Sequence, residues 1–155
     1  MNQAALPGLE PVFTIVAEIA PPRSAGPGLA GERLHIPILG GTVEGRRLSG
    51  RILPGGSDWP LIRRDGASAI EAFYTIEATD GTLILVRNRG LRLSSPDVLE
   101  RLRAGAAVDP TAYYFRSTLE FDAPDGPHQW LRENLFVASL APAGRRITID
   151  VYRLT

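Results

Sequence analysis

Between frequent turn signals the chain alternates apolar and polar residues with a period of two, the repeat of a half-buried strand rather than of a helix. Residues 12–19 are the first case: Phe13, Ile15, Ala17 and Ile19 fall on one face, Thr14 and Glu18 on the other. A Pro- and Gly-rich stretch, 21–31, reads as a flexible loop. Strands are expected at 33–39, broken at Gly40-Gly41, and at 46–53, ended by Pro54-Gly55-Gly56. Two Asp-Gly pairs are the sharpest local signals, because such pairs suit the positive φ angles of a type I′ turn, whose twist matches the strands it joins. Asp65-Gly66 is expected to link 59–64 to 68–79, and Asp80-Gly81 to link that strand to 82–91.

The pattern changes at Ser95-Pro96-Asp97, where an N-cap serine, a proline at the first helical position and an early acid precede Val98, Leu99 and Leu102. This predicts a short helix ending at Gly105. A strand resumes at 113–121, a single helical turn is expected around Trp130 within 127–134, and strands at 135–140 and 146–154 complete the chain. Eight or nine strands with so many consecutive hairpins predict an all-β fold, a closed antiparallel up-and-down β-barrel of about eight strands with one or two short helices. Closure removes the exposed edges that an open sheet would leave; a sandwich is the alternative. No repeat or linker divides the chain, which reads as an N-terminal tail, 1–10, and one domain, 11–155.

Composition fits this picture. Folding of 155 residues can bury roughly 69% of the chain's surface, enough for one substantial core. Sixteen glycines and 13 prolines are consistent with many turns. All 17 basic residues are arginine, balanced by 17 acids, and there is no cysteine. Lysine-dependent Schiff-base and pyridoxal chemistry, thiol nucleophiles, disulfides and thiolate metal sites are therefore excluded. The two histidines, His35 and His128, cannot form a three-histidine metal site, so no metal or cofactor is expected. Zero net charge and scattered arginines give no reason to expect a nucleic-acid partner. No apolar run approaches the roughly 20 residues of a membrane span and no secretory signal is visible, so a soluble, cytoplasmic protein is expected.

Few segments carry chemistry. Gly45 and Gly50 have phosphate-loop spacing, but Arg51-Ile52 stand where lysine and a hydroxyl residue are needed. The Gly40-Gly41-x-x-x-Gly45 run lacks dinucleotide-fingerprint spacing, and no Gly-x-Ser-x-Gly elbow occurs. His35 reads as a surface or hydrogen-bonded strand residue and His128 as a loop residue. Asp58-Trp59 sets a carboxylate beside a large aromatic where a glycine loop becomes a strand. Its environment would either raise the carboxyl's pKa toward acid/base work near neutrality or leave an Asp capping turn amides beside a core Trp. In Tyr113-Tyr114-Phe115-Arg116, alternation puts Tyr114 and Arg116 on one face and Tyr113 and Phe115 on the other. An inward Arg116 would need an acid or an anionic ligand, and an outward one would need neither. Arg87-Asn88-Arg89 poses the same question.

Taken in order, residues 36–45 (Ile-Pro-Ile-Leu-Gly-Gly-Thr-Val-Glu-Gly), 53–59 (Leu-Pro-Gly-Gly-Ser-Asp-Trp), Tyr74 with Asp80-Gly81, Asn88 with Gly90, 113–116, Trp130-Leu131 and 149–152 (Ile-Asp-Val-Tyr) resemble the DUF3237 family, also called the UPF0311 proteins. The resemblance runs from about Pro11 nearly to the C-terminus. It implies a small antiparallel barrel assembling as a homotrimer, and its fungal relatives include cofactor-free cyclases that add a hydroxyl to an alkene conjugated with a carbonyl. Family-like positions able to carry chemistry are Asp58, Arg116, Tyr74 and Asn88 as catalytic candidates, with Trp59, Tyr114 and Trp130 as substrate-binding candidates. Asn134, displaced from the Asn expected soon after Trp-Leu in relatives, has no clear assignment.

Three functions follow as expectations. The first is a cofactor-free cyclase, isomerase or lyase acting on a small carbonyl-containing or phenolic metabolite; the second is a barrel that holds a small ligand without transforming it; the third is a structural trimer. Strands 82–86 and 135–140 carry apolar residues on both faces, which also points to a homo-oligomer. An enzyme needs an acid/base and an oxyanion stabiliser converging on one point. Asp58 and Arg116 on opposite sides of the wall would favour the carrier or structural readings.

Overall fold

A computed structural model of the chain describes residues 2–155. Its strands are β1 (Leu9–Ile19), β2 (Arg23–Gly28), β3 (Gly31–Gly45), β4 (Gly50–Ile52), β5 (Gly56–Asp58), β6 (Leu61–Arg63), β7 (Ser68–Ala78), β8 (Leu83–Leu93), β9 (Tyr114–Asp122), β10 (Phe136–Ala143) and β11 (Arg146–Leu154), with one α-helix, α1 (Pro96–Arg103). All pairings are antiparallel. The order β1-β11-β10-β9-β8-β7 continues through the short strands β4, β5 and β6, which together form one stave against β3. Pairing of β3 with β1, from Phe13↔Gly45 to Ile19↔Ile38, closes an eight-stave barrel. The sandwich alternative is set aside by that seam.

Several details depart from the sequence expectations for physical reasons. The stretch 21–31 is not a loop throughout, since Arg23–Gly28 forms β2 and folds back on β3. The strand expected at 46–53 shortens to Gly50–Ile52, and β3 runs through Gly40-Gly41 instead of breaking there. The Asp-Gly hairpins form where expected but not as type I′ turns: among the described residues no non-glycine has positive φ. Gly66 N–H donates to Arg63 O and Gly81 N–H to Ala78 O, so each hairpin is a three-residue turn with only its glycine in the left-handed region. Asp65 and Asp80 accept from the Ala67 and Thr82 amides. The carboxylate thus serves a backbone donor two residues ahead, which favours this turn over one requiring positive φ at Asp itself. At the N-terminus β1 begins at Leu9, and Gly8 is already hydrogen-bonded to Thr155.

One end of the barrel is sealed. The rings of Phe13, Phe121, Phe136 and Trp130 meet edge-on, with centroids 5.1–6.4 Å apart. Trp130 enters on a 3-10 turn, Gln129–Arg132, under the Arg47 guanidinium. Asn134 fixes that turn by donating to Trp130 O at 2.8 Å while accepting from Arg153 at 3.1 Å, which gives the displaced asparagine a structural role. Ile15, Ile76, Ile84 and Val86 are fully buried within the wall. At the other end α1, capped by Ser95 as the sequence indicates, folds Leu102 over the opening.

The wall requires glycine at several points of close approach, and Gly41 marks the one on the β1–β3 seam where φ is also positive. At Gly41, φ is +151° and a Cβ would lie 2.1 Å from Val16 O, where β1 crosses β3 most tightly. Gly41→Ala is expected to cost at least about 2 kcal/mol, measured by denaturant unfolding with an unchanged m-value; a loss below 0.5 kcal/mol would show that the seam yields more readily than its geometry implies.

Candidate functional site

The open end leads into a cavity of about 580 Å³. Its body is apolar, with Leu34 and Ile36 from β3, Ile70 from β7, Phe115 from β9 and Ile147 from β11. Its rim lies between Pro21-Pro22, the C-terminal end of α1 at Leu102–Gly105, and the Gly144-Arg145 turn. The Gly55-Gly56 loop takes no part in this lining; Gly56 instead packs its backbone against Tyr74 and Phe73.

Asp58 lines this cavity. It is the last residue of β5, paired with Ile36 on β3 and Ala72 on β7, so the pleat turns its side chain inward. Its Oδ1 accepts from Glu71 N–H at 3.1 Å. Burial raises its pKa to about 6; the Glu71 amide and the Arg92 charge oppose the shift without cancelling it, and Glu71's charge adds to it.

Arg92 is the cationic side chain of the inner wall, and sequence reading passed over it. Strand β8 pairs Arg92 with Ser68 on β7 and Phe115 on β9, and all three face inward at the mouth. Its Nη2 donates to Ser68 Oγ at 3.2 Å and its guanidinium lies 5.8 Å from the Phe115 ring centroid. Burial lowers its pKa, and the like charge of Arg103 adds to that. The available signal was parity: Asn88, Gly90 and Arg92 share one face of β8, so an inward Asn88 implies an inward Arg92.

The other candidates divide by the same parity. Tyr74 and Asn88 lie inside, 3% and 2% exposed. Asn88 pairs with Ala72, which pairs with Asp58, so the two polar side chains belong to one inner layer with only a methyl group between them. The Tyr74 hydroxyl, Asn88 Oδ1 and Ser117 Oγ are buried without a hydrogen-bond partner among the described residues. Burial, reinforced by the Asp58 charge, pushes the Tyr74 pKa well up, so its hydroxyl keeps its proton.

Arg116, Tyr114 and Trp59 point outward. Arg116 stacks on Tyr114 with its guanidinium 5.6 Å from the ring centroid, and inward-facing Phe115 stands between them in sequence. Trp59 is 41% exposed and stacks on His35, 5.9 Å between centroids, while His35 bonds Ser57 at 3.0 Å. Trp130 is buried at the sealed end. None of these four shares the cavity with Asp58, because successive residues of a strand face opposite sides of the wall and Trp130 belongs to the far cap. His128 is buried and bound to Asp80 at 2.8 Å, outside the cavity. Among the described residues no helix is long and apolar enough to cross a membrane.

Comparison with known proteins places these residues in a wider setting. Residues 7–154 match DUF3237, a protein family of unknown function. A UPF0311 protein of Rhodopseudomonas palustris strain TIE-1 is 41% identical over 143 residues, covering 92% of this chain and 94% of that protein. The crystal structure of a conserved protein of unknown function from Rhodopseudomonas palustris superposes with a TM-score of 0.90 at 38% identity, over 99% of this chain and all of that one. The structure of an enzyme from Penicillium herquei shares the fold, with a TM-score of 0.73 at 18% identity over 100% of this chain and 99% of that one.

The raised pKa of Asp58 has a consequence for stability. Between its ordinary value of 3.8 and about 6 the native carboxyl binds more protons than the unfolded one. Stability is therefore lost as pH rises through that window and levels off above it. Asp58→Asn keeps the Glu71 amide bond and removes the titration. The variant is expected to melt on the order of 2–5 °C above the parent at pH 7.5 and within a degree of it at pH 4; an equal difference at both pH values, read by calorimetry, would contradict the assignment.

Proposed function

We propose that this chain, which belongs to the DUF3237 family of proteins of unknown function, is a cofactor-free cyclase, isomerase or lyase acting on a small carbonyl-containing or phenolic molecule held in the open end of the barrel. One observation carries the reading: Asp58 and Arg92 are an acid near neutrality and a restrained guanidinium in the same apolar cavity. Convergence of acid/base and oxyanion stabiliser was expected of Asp58 with Arg116. Arg116 lies on the opposite side of the wall, which by itself favours a carrier, and Arg92 fills the inward role instead.

In this reading ionised Asp58 takes a proton from a substrate hydroxyl or from carbon α to a carbonyl. Arg92 stabilises the negative charge that develops on the carbonyl oxygen, and Asp58 returns the proton once the bond has formed or broken. A dry apolar wall strengthens both interactions, and donors already held in place need no reorganisation. Tyr74, which keeps its proton, and Asn88 would take the inner end of the substrate as a hydrogen-bond donor and acceptor. Trp59, Tyr114, Arg116 and Trp130 have no part in it. The predominantly apolar lining supports a second reading, a barrel that binds such a molecule without turning it over.

Native mass spectrometry of the purified chain, followed by turnover assays on any scaffold retained, separates the two. On a substrate so identified, Asp58→Asn is expected to lower kcat by about 10²–10⁴ without weakening binding. Arg92→Gln is expected to lower it by about 10²–10³. With Asp58 as the base, kcat/KM should rise with pH through about 6 and then level off. Near-parental turnover by Asp58→Asn would remove the acid/base assignment; binding without turnover would leave the carrier.

We also propose that the protein is a homo-oligomer, most simply the trimer that the family resemblance implies. Support comes from apolar side chains on the outer wall, among them Phe73, Leu83, Leu93 and Leu135, all exposed in the single chain. Sedimentation equilibrium at micromolar concentration should give a multiple of 16.8 kDa, and a monomer at that mass would end the proposal.

A further inference from the structure

The cavity's charges are unbalanced. Its lining includes three arginines, Arg92, Arg103 and Arg145, against one acid, Asp58. None of the three arginines is in an ion pair among the described residues, although seven other pairs form elsewhere on the molecule. Arg92 is the informative one. It stands at the inner wall with a single side-chain partner, Ser68 Oγ, which leaves most of its donors unused. A guanidinium withdrawn from water in this way is costly unless an anion meets it.

Asp58 is not that anion. It shares the cavity with Arg92 but does not reach ion-pair contact, because each is tethered: Asp58 to the Glu71 amide, and Arg92 to Ser68 and the Phe115 face. The two opposite charges stand apart across an apolar space. Arg103, at the last turn of α1, and Arg145, in the β10–β11 turn, add exposed positive charge at the rim on the same side as the opening.

We infer that the molecule this barrel takes is a monoanionic carboxylate with a flat apolar body, its carboxylate seated on Arg92 and drawn in by Arg103 and Arg145. The planar fork of Arg92 matches a carboxylate's two oxygens. The apolar body lies over Ile36, Ile70 and Phe115 and carries the reacting carbonyl between Arg92 and Asp58, within reach of guanidinium donors that the carboxylate leaves free. A phosphate ester would meet the same arginines, but its second negative charge would face Asp58 in a low-dielectric space, so the single charge is favoured. The inference rests on the cavity reading above and adds to it the chemical class of the ligand.

The test uses three probes on the full-length chain by isothermal titration at pH 8: trans-cinnamate, its neutral isostere cinnamamide, and phenyl phosphate. Cinnamate is expected to bind at least about 10-fold more tightly than cinnamamide. Arg92→Gln should abolish that preference. Arg103→Gln and Arg145→Gln, both at exposed positions that do not endanger folding, should each weaken cinnamate about 2- to 5-fold and leave cinnamamide unchanged. Asp58→Asn should tighten cinnamate by removing a like charge, which locates the probe in this cavity. Equal binding of cinnamate and cinnamamide overturns the inference while leaving the cavity reading intact, and tighter binding of phenyl phosphate overturns the carboxylate assignment. Binding of none of the three overturns both. Because these readouts are affinities, loss of turnover in Asp58→Asn bears only on the catalytic reading.

Discussion

Everything in this molecule depends on the seam between β1 and β3. Each β-strand carries unpaired donors and acceptors along both edges, and a meander of hairpins satisfies all but the outer two rows. Pairing β1 with β11 on one side and with β3 on the other consumes those last rows. Once the wall is closed, every residue along every strand is committed to the interior or to the outer surface. A shift of one residue at the seam would exchange the two sets throughout β1, placing Thr14, Val16 and Glu18 where Phe13, Ile15 and Ala17 now pack. Glycines at 41 and 45 belong to this constraint, since a side chain at either would collide with β1.

Closure also sets where function can reside. An eight-stave barrel has an interior just wide enough to be filled by its own side chains, so a cavity exists only where those side chains are small or the end is left uncapped. Here both conditions hold at one end. Phenylalanines and Trp130 fill the far end, whereas Ala72 and Gly90 leave the inner wall thin toward the mouth and α1 only partly covers the opening. The polar groups of the interior, Asp58, Tyr74, Asn88, Ser117 and Arg92, belong to the layers on that side of the aromatic plug. Their placement in a predominantly apolar wall raises the Asp58 pKa and lowers that of Arg92 through the same cause, the removal of water.

The outer wall follows different physics. Arg116 on Tyr114 and Trp59 on His35 are stacked pairs on the exterior, where the rings pack over neighbouring strands and the cation or imidazole remains accessible. A motif such as Tyr-Tyr-Phe-Arg or Ser-Asp-Trp therefore contributes to both sides of the wall at once. Phe115 and Asp58 serve the cavity, while Tyr114, Arg116 and Trp59 serve the surface. Motif membership says that a segment matters and leaves open which of its residues meet one another.

Much of this was legible in the chain because it is local. Period-two alternation, the Asp-Gly pairs, the Ser95-Pro96 cap and the match of 146–154 to β11 arise from interactions a few residues long, which a sequence displays directly. Local signals also carried the limits: Asp-Gly specifies a hairpin, but the side-chain bond from Asp65 or Asp80 to the following backbone selected a three-residue turn, and β2 emerged from a Pro- and Gly-rich stretch only because β3 offered it an edge. Alternation correctly separated Tyr114 and Arg116 from Tyr113 and Phe115, yet nothing within the strand states which set faces inward. That choice belongs to the closed barrel, where the inner face is whichever one packs against the other seven staves. The sequence by itself therefore determined most of the strands, the positions of the hairpins and the family. Only tertiary structure decided that Arg92 rather than Arg116 stands in the cavity with Asp58, because facing and proximity are properties of the closed wall and not of any segment of it.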